Sequence, residues 1–292
     1  MSHKHIVFIV NPKSGVERQK EISRAVTAHL DPKLYTHEIL NTQYAKHGTE
    51  LAREASAKGA YAVVAVGGDG SVNDIAHGLV GTNTVLGIIP KGSGNGMART
   101  MGIPLDVAAA VQLINRGKVG AIDVGYANDK LFVSNAGVAF DALISKKFAK
   151  SKKRGLMVYS WLVTKYLWLY KTWNFDITID GKQLHENAFM VNVANGTQFG
   201  YNFRIAPMAS YDDGILDIII IRKFPKILGG LIAFRAMTGT IAQSPYVQHY
   251  TGKEITISHP SLSLMQTDGD AHACSNSITF RVVPGAQRVL VP

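Results

Sequence analysis

The chain is 292 residues long, 46% hydrophobic and only 18% charged, which is material for one large or two moderate cores and excludes a disordered protein. Its formal charge of +10 suits an anionic membrane or phosphorylated ligands; with no zinc-ligand spacing and no RNA-binding motif, no nucleic-acid partner is expected. Cys274 is the only cysteine, so no internal disulfide forms, and no uncharged run reaches the ~20 residues that span a bilayer. With no signal-like start either, the expected place is the cytoplasm, soluble or peripheral to the membrane.

In chain order, residues 6–15 predict an apolar strand running into the polar loop Asn11-Pro12-Lys13-Ser14-Gly15. Ile22, Ala25, Val26 and Leu30 then recur at helical spacing. Residues 34–42 predict a second strand ending at Asn41-Thr42, and Thr49 is expected to start a helix with Leu51, Ala52 and Ala55 inside. Val63, Val64 and Val66 make a buried strand that Gly67, Gly68 and Gly70 break. Ser71 would cap the helix that Val72, Ile75, Ala76 and Leu79 continue.

Glycine lets a bound group approach the backbone closely, and a helix N-terminus offers N–H groups and a favourable dipole to phosphate. Asp69 sits inside this turn and would repel a bare phosphate. Its presence makes sense if it meets magnesium or deprotonates a hydroxyl. Residues 85–89 form another strand, followed by the loop Pro-Lys-Gly-Ser-Gly-Asn-Gly-Met-Ala-Arg. In an open parallel sheet such loops gather at the carboxyl edge, where ligands bind. Three of them converging imply a nucleotide site.

Pro104 begins a short helix over 107–114, closed by Asn115-Arg116-Gly117. The alternation of strand and helix to about residue 122 predicts a right-handed α/β unit, with a domain boundary in Ile122-Asp123-Val124-Gly125. Beyond it the texture turns β-rich, with strands expected at 130–135, 174–180, 188–194, 215–222, 254–258, 261–266 and 277–283 and a hairpin turn at Asp180-Gly181-Lys182. Two apolar stretches, 156–173 and 224–241, read as core-packing helices. The first, preceded by the basic run 150–154 and carrying all three tryptophans, also reads as a lipid-acceptor wall with a basic collar at a membrane.

Asn11-Pro12 with Ser14-Gly15, the GGDGS block at 67–71, the PKGSGN block at 90–95, Asp213-Gly214-Ile215-Leu216-Asp217 and Asp268-Gly269-Asp270 follow one another in this order. Together they resemble the diacylglycerol kinase catalytic-domain superfamily of lipid kinases over nearly the whole chain. That superfamily includes bacterial diacylglycerol kinases, YegS-like lipid kinases, and sphingosine and ceramide kinases. The resemblance implies a two-domain α/β fold. Residues 1–123 would be an α/β nucleotide-binding domain of the NAD kinase/phosphofructokinase kind, with the tail 283–292 packing back on it; 124–282 would be a β-rich sandwich domain for the lipid.

It also implies ATP and Mg2+ as cofactors. Asn11, Lys13, Ser14, Gly15, Thr42, Gly67, Gly68, Asp69, Gly70, Ser71, Val72, Asn73, Gly92, Ser93 and Asn95 would surround the nucleotide. Asp270 stands where the family usually has glutamate as general base, one methylene shorter; Asp69 is the competing base or magnesium-organising acid. Asp213 with the carbonyls of Ser210 and Ile215 would hold a structural magnesium. Asp141 resembles the position that meets a lipid head group, with helix capping as the alternative. The implied activity is phosphorylation of diacylglycerol, a sphingoid base or a related lipid, with peripheral membrane contact; a homodimer is left open. Two rivals remain: a soluble-substrate kinase of the NAD kinase/phosphofructokinase type, and a nucleotide-binding regulator without catalysis.

Overall fold

Short valine- and isoleucine-rich runs separated by amphipathic helices build the first of two units. The computed structural model describes residues 3–12, 16–151 and 155–292. The first unit is Met1–Ile122 with Gly285–Pro292, the second Asp123–Pro284.

The first unit runs β1 (Lys4–Val10), α1 (Val16–His29), β2 (Tyr35–Asn41), α2 (His47–Ala57), β3 (Ala62–Gly67), α3 (Asp69–Leu79), β4 (Val85–Pro90), α4 (Gly96–Thr100) and α5 (Val107–Arg116). Its strands are parallel in the order β2-β1-β3-β4. Every residue of β3 and β4 is buried, so these strands read as continuous apolar runs rather than alternations. Ile22 and Val26 of α1, Leu30 just after it, and Val111 and Ile114 of α5 pack on one core with Phe8, Val64 and Ile89.

Asp106 caps α5 by accepting from the Ala109 N–H at 2.9 Å, and Gly117, at φ 62°, ends the helix. Two starts differ from expectation. Helix α2 begins at His47, and Thr49 donates its hydroxyl to the Asp74 carbonyl at 2.7 Å. Helix α3 begins at Asp69 behind Gly68, so Ser71 lies inside the first turn and no side chain caps the helix.

The second unit is mostly antiparallel. It takes in most of β5 (Val119–Ala127), then β6 (Lys130–Phe132), β7 (Asn135–Ala139), α6 (Phe140–Ala149), α7 (Leu156–Leu169), β8 (Trp173–Ile179), β9 (Lys182–Ala194), β10 (Leu216–Arg222), α8 (Gly229–Thr238), β11 (Val247–Gly252), β12 (Glu254–Ser258), β13 (Leu264–Thr267), β14 (Asp270–Ala273) and the start of β15 (Ser277–Leu290). The long β9 pairs with β8 over Lys182 to Ala188, with β7 over Met190 to Ala194, and with β10 on its other edge.

Strand β10 shows why Leu-Asp-Ile-Ile-Ile-Ile-Arg carries little alternation. Leu216, Ile218 and Ile220 enter a core with Phe175, Ile255 and Phe280, while Ile219 and Ile221 enter another with Leu162, Phe224 and Ile232. Asp180 and Gly181, at φ 46° and 83°, make the tight β8–β9 turn that the sequence signalled.

Strands β5, β7, β11 and β14 were not foreseen; β7 (Asn-Ala-Gly-Val-Ala) and β14 (Asp-Ala-His-Ala) lack the β-branched signature. The apolar stretch 224–241 is divided into a 3-10 turn, α8 and a second 3-10 turn, with Gly239 at φ 75° ending α8. The last strand is one element from Ser277 to Leu290 rather than a strand and a tail. It pairs with β12 at its start, and Val289 stands beside Leu86 of β4 at its end.

Candidate active site

Parallel pairing brings the ends of four strands to one edge of the first unit. The ladder continues past the strands. Thr42 N–H donates to the Val10 carbonyl (2.9 Å), Asn11 N–H to the Val66 carbonyl (3.3 Å) and Lys91 N–H to the Gly67 carbonyl (2.8 Å). The loops holding Asn11, Thr42, Gly67 to Asn73 and Gly92 to Asn95 are therefore neighbours, as the carboxyl-edge rule requires. Asn11 Nδ2 reaches Ser71 Oγ at 3.5 Å. A cleft of about 220 Å³ lies among Asn11, Thr42, Tyr44, Gly48, Ser71 and Asp74. Lys13, Ser14 and Gly15, also expected here, lie outside the described residues.

Glycine is needed at two positions for a reason the structure makes explicit. A Cβ on Gly68 would stand 3.0 Å from the Gly92 Cα, and a Cβ on Gly92 would run into the Gly68 backbone and come within 2.9 Å of Asn95 Oδ1. The two phosphate-type loops touch backbone to backbone, so a side chain on either would push them apart before it met a ligand. Asn95 ties its own loop, with Oδ1 accepting from Gly92 N–H (2.9 Å) and Nδ2 donating to the Gly92 carbonyl (2.8 Å). Held at φ 51°, Asn95 shapes the loop, while Ser93 at its tip is exposed. Gly92→Ala is therefore expected to weaken ATP binding by about 10- to 100-fold, the equivalent of an overpacked contact. Equilibrium binding of a fluorescent ATP analogue measures it, and wild-type affinity would show that the loop contact does not govern the site.

Asp69 joins the same two loops. Its Oδ1 accepts from the Met97 N–H at 3.4 Å, at the N-terminus of α4. Burial pushes its carboxyl above the ordinary value, while the backbone N–H groups of Gly96, Met97 and Asn95 pull the other way. Asn73 is buried, and its Oδ1 has no hydrogen-bond partner among the described residues. An oxygen left so costs about 1–3 kcal/mol, which fits a place that a ligand donor or water completes. An anion-receptive glycine edge with one acid and one orphaned acceptor fits a nucleotide.

In the second unit Asp268-Gly269 is the two-residue turn between β13 and β14, at φ 48° and 87°. Asp268 is the residue sequence reasoning passed over. Its carboxylate accepts from the N–H groups of Val133 (2.7 Å), Ser134 (2.8 Å) and Asn135 (3.0 Å), which clamps the turn to the β6–β7 segment. Burial nonetheless raises its pKa to about 6. Asp270, the first residue after the turn, is exposed opposite Thr267.

Asp141 does not cap α6; Ala139 holds the cap position, and no side chain bonds there. Asp141 instead joins a buried polar network. Its Oδ2 accepts from Gln266 Nε2 (2.8 Å) and Asn192 Nδ2 (3.1 Å), Gln266 Nε2 also reaches Asn135 Oδ1 (2.8 Å), and Gln266 Oε1 accepts from Gly269 N–H (2.7 Å). Neither Gln266 nor Asn192 carries a local signal for this network, because Asp141 lies more than fifty residues from each of them.

Burial lifts the Asp141 carboxyl from 3.8 to about 6 against its two amide donors. The folded chain thus binds this proton more tightly than the unfolded chain. The stability Asp141 contributes is complete below 3.8 and is lost as pH rises through about 6. Melting temperature is expected to fall across that interval, and Asp141→Asn to flatten its share of the slope. An unchanged slope in the variant contradicts the assignment.

Ser210, Asp213 and Ile215 lie together before β10. Ser210 donates its hydroxyl to Asp212 Oδ1 (2.5 Å), and Ile215 N–H donates to Asp213 Oδ1 (3.2 Å). Gly214, at φ 73°, donates to Asp123 Oδ2 (2.6 Å). Partial burial and the charges of Asp217 and Asp123 raise the Asp213 carboxyl. No group of three or more His, Cys, Asp or Glu gathers as a metal site among the described residues, so a cation here would draw on backbone carbonyls beside Asp213. Concentrated negative charge and oxygen donors fit a hard cation such as magnesium.

The sequence profile described as "Diacylglycerol kinase catalytic domain" matches residues 5–127, and "YegS C-terminal NAD kinase beta sandwich-like domain" matches 134–291. A curated relative from Chromohalobacter salexigens, "Probable lipid kinase YegS-like", is 33% identical over a stretch covering 62% of this chain and 60% of the relative. A diacylglycerol kinase structure from Bacillus anthracis shares the fold, with TM-score 0.77 at 24% identity over 100% of this chain and 98% of that one. An NAD kinase from Archaeoglobus fulgidus, solved in complex with ATP, shares it at TM-score 0.58 and 14% identity, over 98% and 93%. An α/β unit matching the one profile and a β-sandwich-like unit matching the other identify the chain as a member of the diacylglycerol kinase catalytic-domain superfamily of lipid kinases.

Proposed function

We propose that the chain is an ATP- and Mg2+-dependent lipid kinase that transfers the γ-phosphoryl group to a hydroxyl of diacylglycerol, a sphingoid base or a related lipid. The observation that carries the reading is the backbone contact of Gly68 with Gly92 at the carboxyl edge of the parallel sheet. It keeps side chains out of that contact, directly before the N-terminus of α3, where a helix favours an anion. Family membership supplies the kinase class.

In this reading the Gly67 to Asn73 and Gly92 to Asn95 loops bind and orient the triphosphate, and Asn11 and Thr42 border the nucleotide. Asp270 takes the proton from the acceptor hydroxyl as its oxygen bonds to phosphorus and the bond to the ADP oxygen breaks. Asp69, anchored at the N-terminus of α4, orients the transferring group. Ser210 and Ile215, through their carbonyls, and Asp213 would hold magnesium, which when bound neutralises negative charge. Asp141 faces the acceptor's polar head through the Asn192 and Gln266 network, and its ionised form suits a protonated amine.

Labelled ATP and magnesium offered with micelles of diacylglycerol, sphingosine, ceramide or monoacylglycerol, and separately with NAD, test the reading. A labelled lipid supports it and names the acceptor. Labelled NADP with no lipid product overturns it in favour of the soluble-substrate kinase that the shared NAD kinase fold represents.

A further inference from the structure

Gln266 stands in the middle of β13 with 1% of its surface exposed, between Ala271 of β14 and Gly137 of β7. A buried amide costs free energy unless its polar atoms find partners, and an apolar side chain would fill the position without that demand. Here the partners are in place. Nε2 donates to Asp141 Oδ2 and to Asn135 Oδ1, both at 2.8 Å, and Oε1 accepts from Gly269 N–H at 2.7 Å. The amide has one workable orientation. A flip would turn Oε1 towards the carboxylate and Nε2 towards another donor.

The partners differ in what they need from Gln266. Asp141 and Asn135 are buried, whereas Gly269 is exposed in the β13–β14 turn, where water can satisfy its N–H. Folding does not require the bond to Gly269. Its effect is to hold the turn, whose next residue is Asp270, to the buried network around Asp141. Asn135 closes the ring. Its N–H donates to Asp268 Oδ1 at 3.0 Å, its carbonyl accepts from Asp268 N–H at 2.8 Å, and its side chain takes the Gln266 amide.

Room for the network comes from a missing side chain. A Cβ on Gly137 would stand 2.3 Å from Asp141 Oδ2 and 3.2 Å from Asn192 Nδ2. Glycine at this place in β7 lets the carboxylate reach Gln266 and Asn192 together.

We propose that Gln266 is a positioning residue that ties the carboxylate of Asp141, beside the acceptor's head group, to the hairpin that presents Asp270 to the acceptor hydroxyl. The roles of Asp141 and Asp270 rest on the kinase reading; the tie itself does not. A carboxylate accepting from Nε2 polarises the amide, and Oε1 then holds the Gly269 N–H more firmly, as chained hydrogen bonds strengthen one another. What binds at Asp141 is thereby linked to where the base stands.

Hydrogen exchange at the Gly269 amide, read by NMR without ATP or lipid, tests the tie. Gln266→Met, of similar shape, should speed exchange about tenfold. Asp141→Asn, which keeps an acceptor but removes the charge, should speed it about threefold, with circular dichroism unchanged. In the phosphorylation assay Gln266→Met should lower kcat about tenfold with ATP affinity unchanged, and should cost nothing further in an Asp270→Asn background.

Gly269 exchange at the wild-type rate in Asp141→Asn overturns the proposal, and this arm decides it even if Gln266→Met does not fold. An unchanged kcat in Gln266→Met also overturns it. So does an equal loss with and without Asp270→Asn, which would make Gln266 a structural residue of β13. A wild-type chain that labels no lipid sinks the kinase reading alone, and the exchange rates still decide whether Gln266 ties Asp141 to the hairpin.

Discussion

Asp270→Asn is expected to lower kcat by about 10²–10⁴-fold, the range for removing a general base, while leaving ATP affinity unchanged. The substitution keeps the shape of the side chain and removes only its capacity to take a proton. The turn that presents it is fixed elsewhere. Asp268 holds the hairpin through three backbone N–H groups, and Gln266 receives the Gly269 N–H. Asp270 is exposed, so its replacement by asparagine puts no new polar group into the core. Asp270→Glu, which installs the acid usual in the superfamily, should retain activity within about tenfold, since the carboxylate chemistry survives a one-methylene change in reach. A fully active Asp270→Asn enzyme would remove the residue from the mechanism.

Asp69→Asn is the second large effect, a loss of turnover of about 10²–10³-fold, the scale for losing one organised electrostatic contact in phosphoryl transfer. The test separates charge from architecture. Asparagine at 69 retains an oxygen that can accept the Met97 N–H, so the joint between the two loops persists and the melting temperature should hardly move. If Asp69 serves only to cap α4, Asp69→Asn keeps near-normal turnover while Asp69→Ala unfolds the loop. If it orients the transferring group, both variants lose turnover. Burial, which already raises the Asp69 carboxyl, makes its ionised form sensitive to what binds beside it.

Local chemistry explains what the sequence disclosed. Gly68 and Gly92 are legible because backbone contact tolerates no Cβ, and Asp268-Gly269 because two consecutive positive φ values demand such residues. The valine runs of β3 and the isoleucine run of β10 announced burial on both faces. Relations over long separations left no trace. Asp268 reads as an ordinary turn residue until its partners at Val133 to Asn135 fold beside it. Asp141 reads as a head-group contact or a helix cap, and only the fold shows Asn192 and Gln266 donating to it. Both side-chain polar atoms of Asn95 close its own loop, a role that the spelling of the loop did not announce. Ser71 had the right chemistry for a cap but stands one turn too late, because Asp69 is already helical. The small and polar residues of β7 and β14 become strands only through their neighbours.

The central claim is that this chain moves phosphate from ATP to a lipid hydroxyl. Incubation with γ-labelled ATP, magnesium and diacylglycerol micelles, followed by organic extraction, tests it most directly. The account predicts label in the organic phase as phosphatidic acid, present with the wild-type chain and absent with Asp270→Asn. Label that stays wholly in the aqueous phase across diacylglycerol, sphingosine and ceramide, while the chain binds ATP, would contradict it.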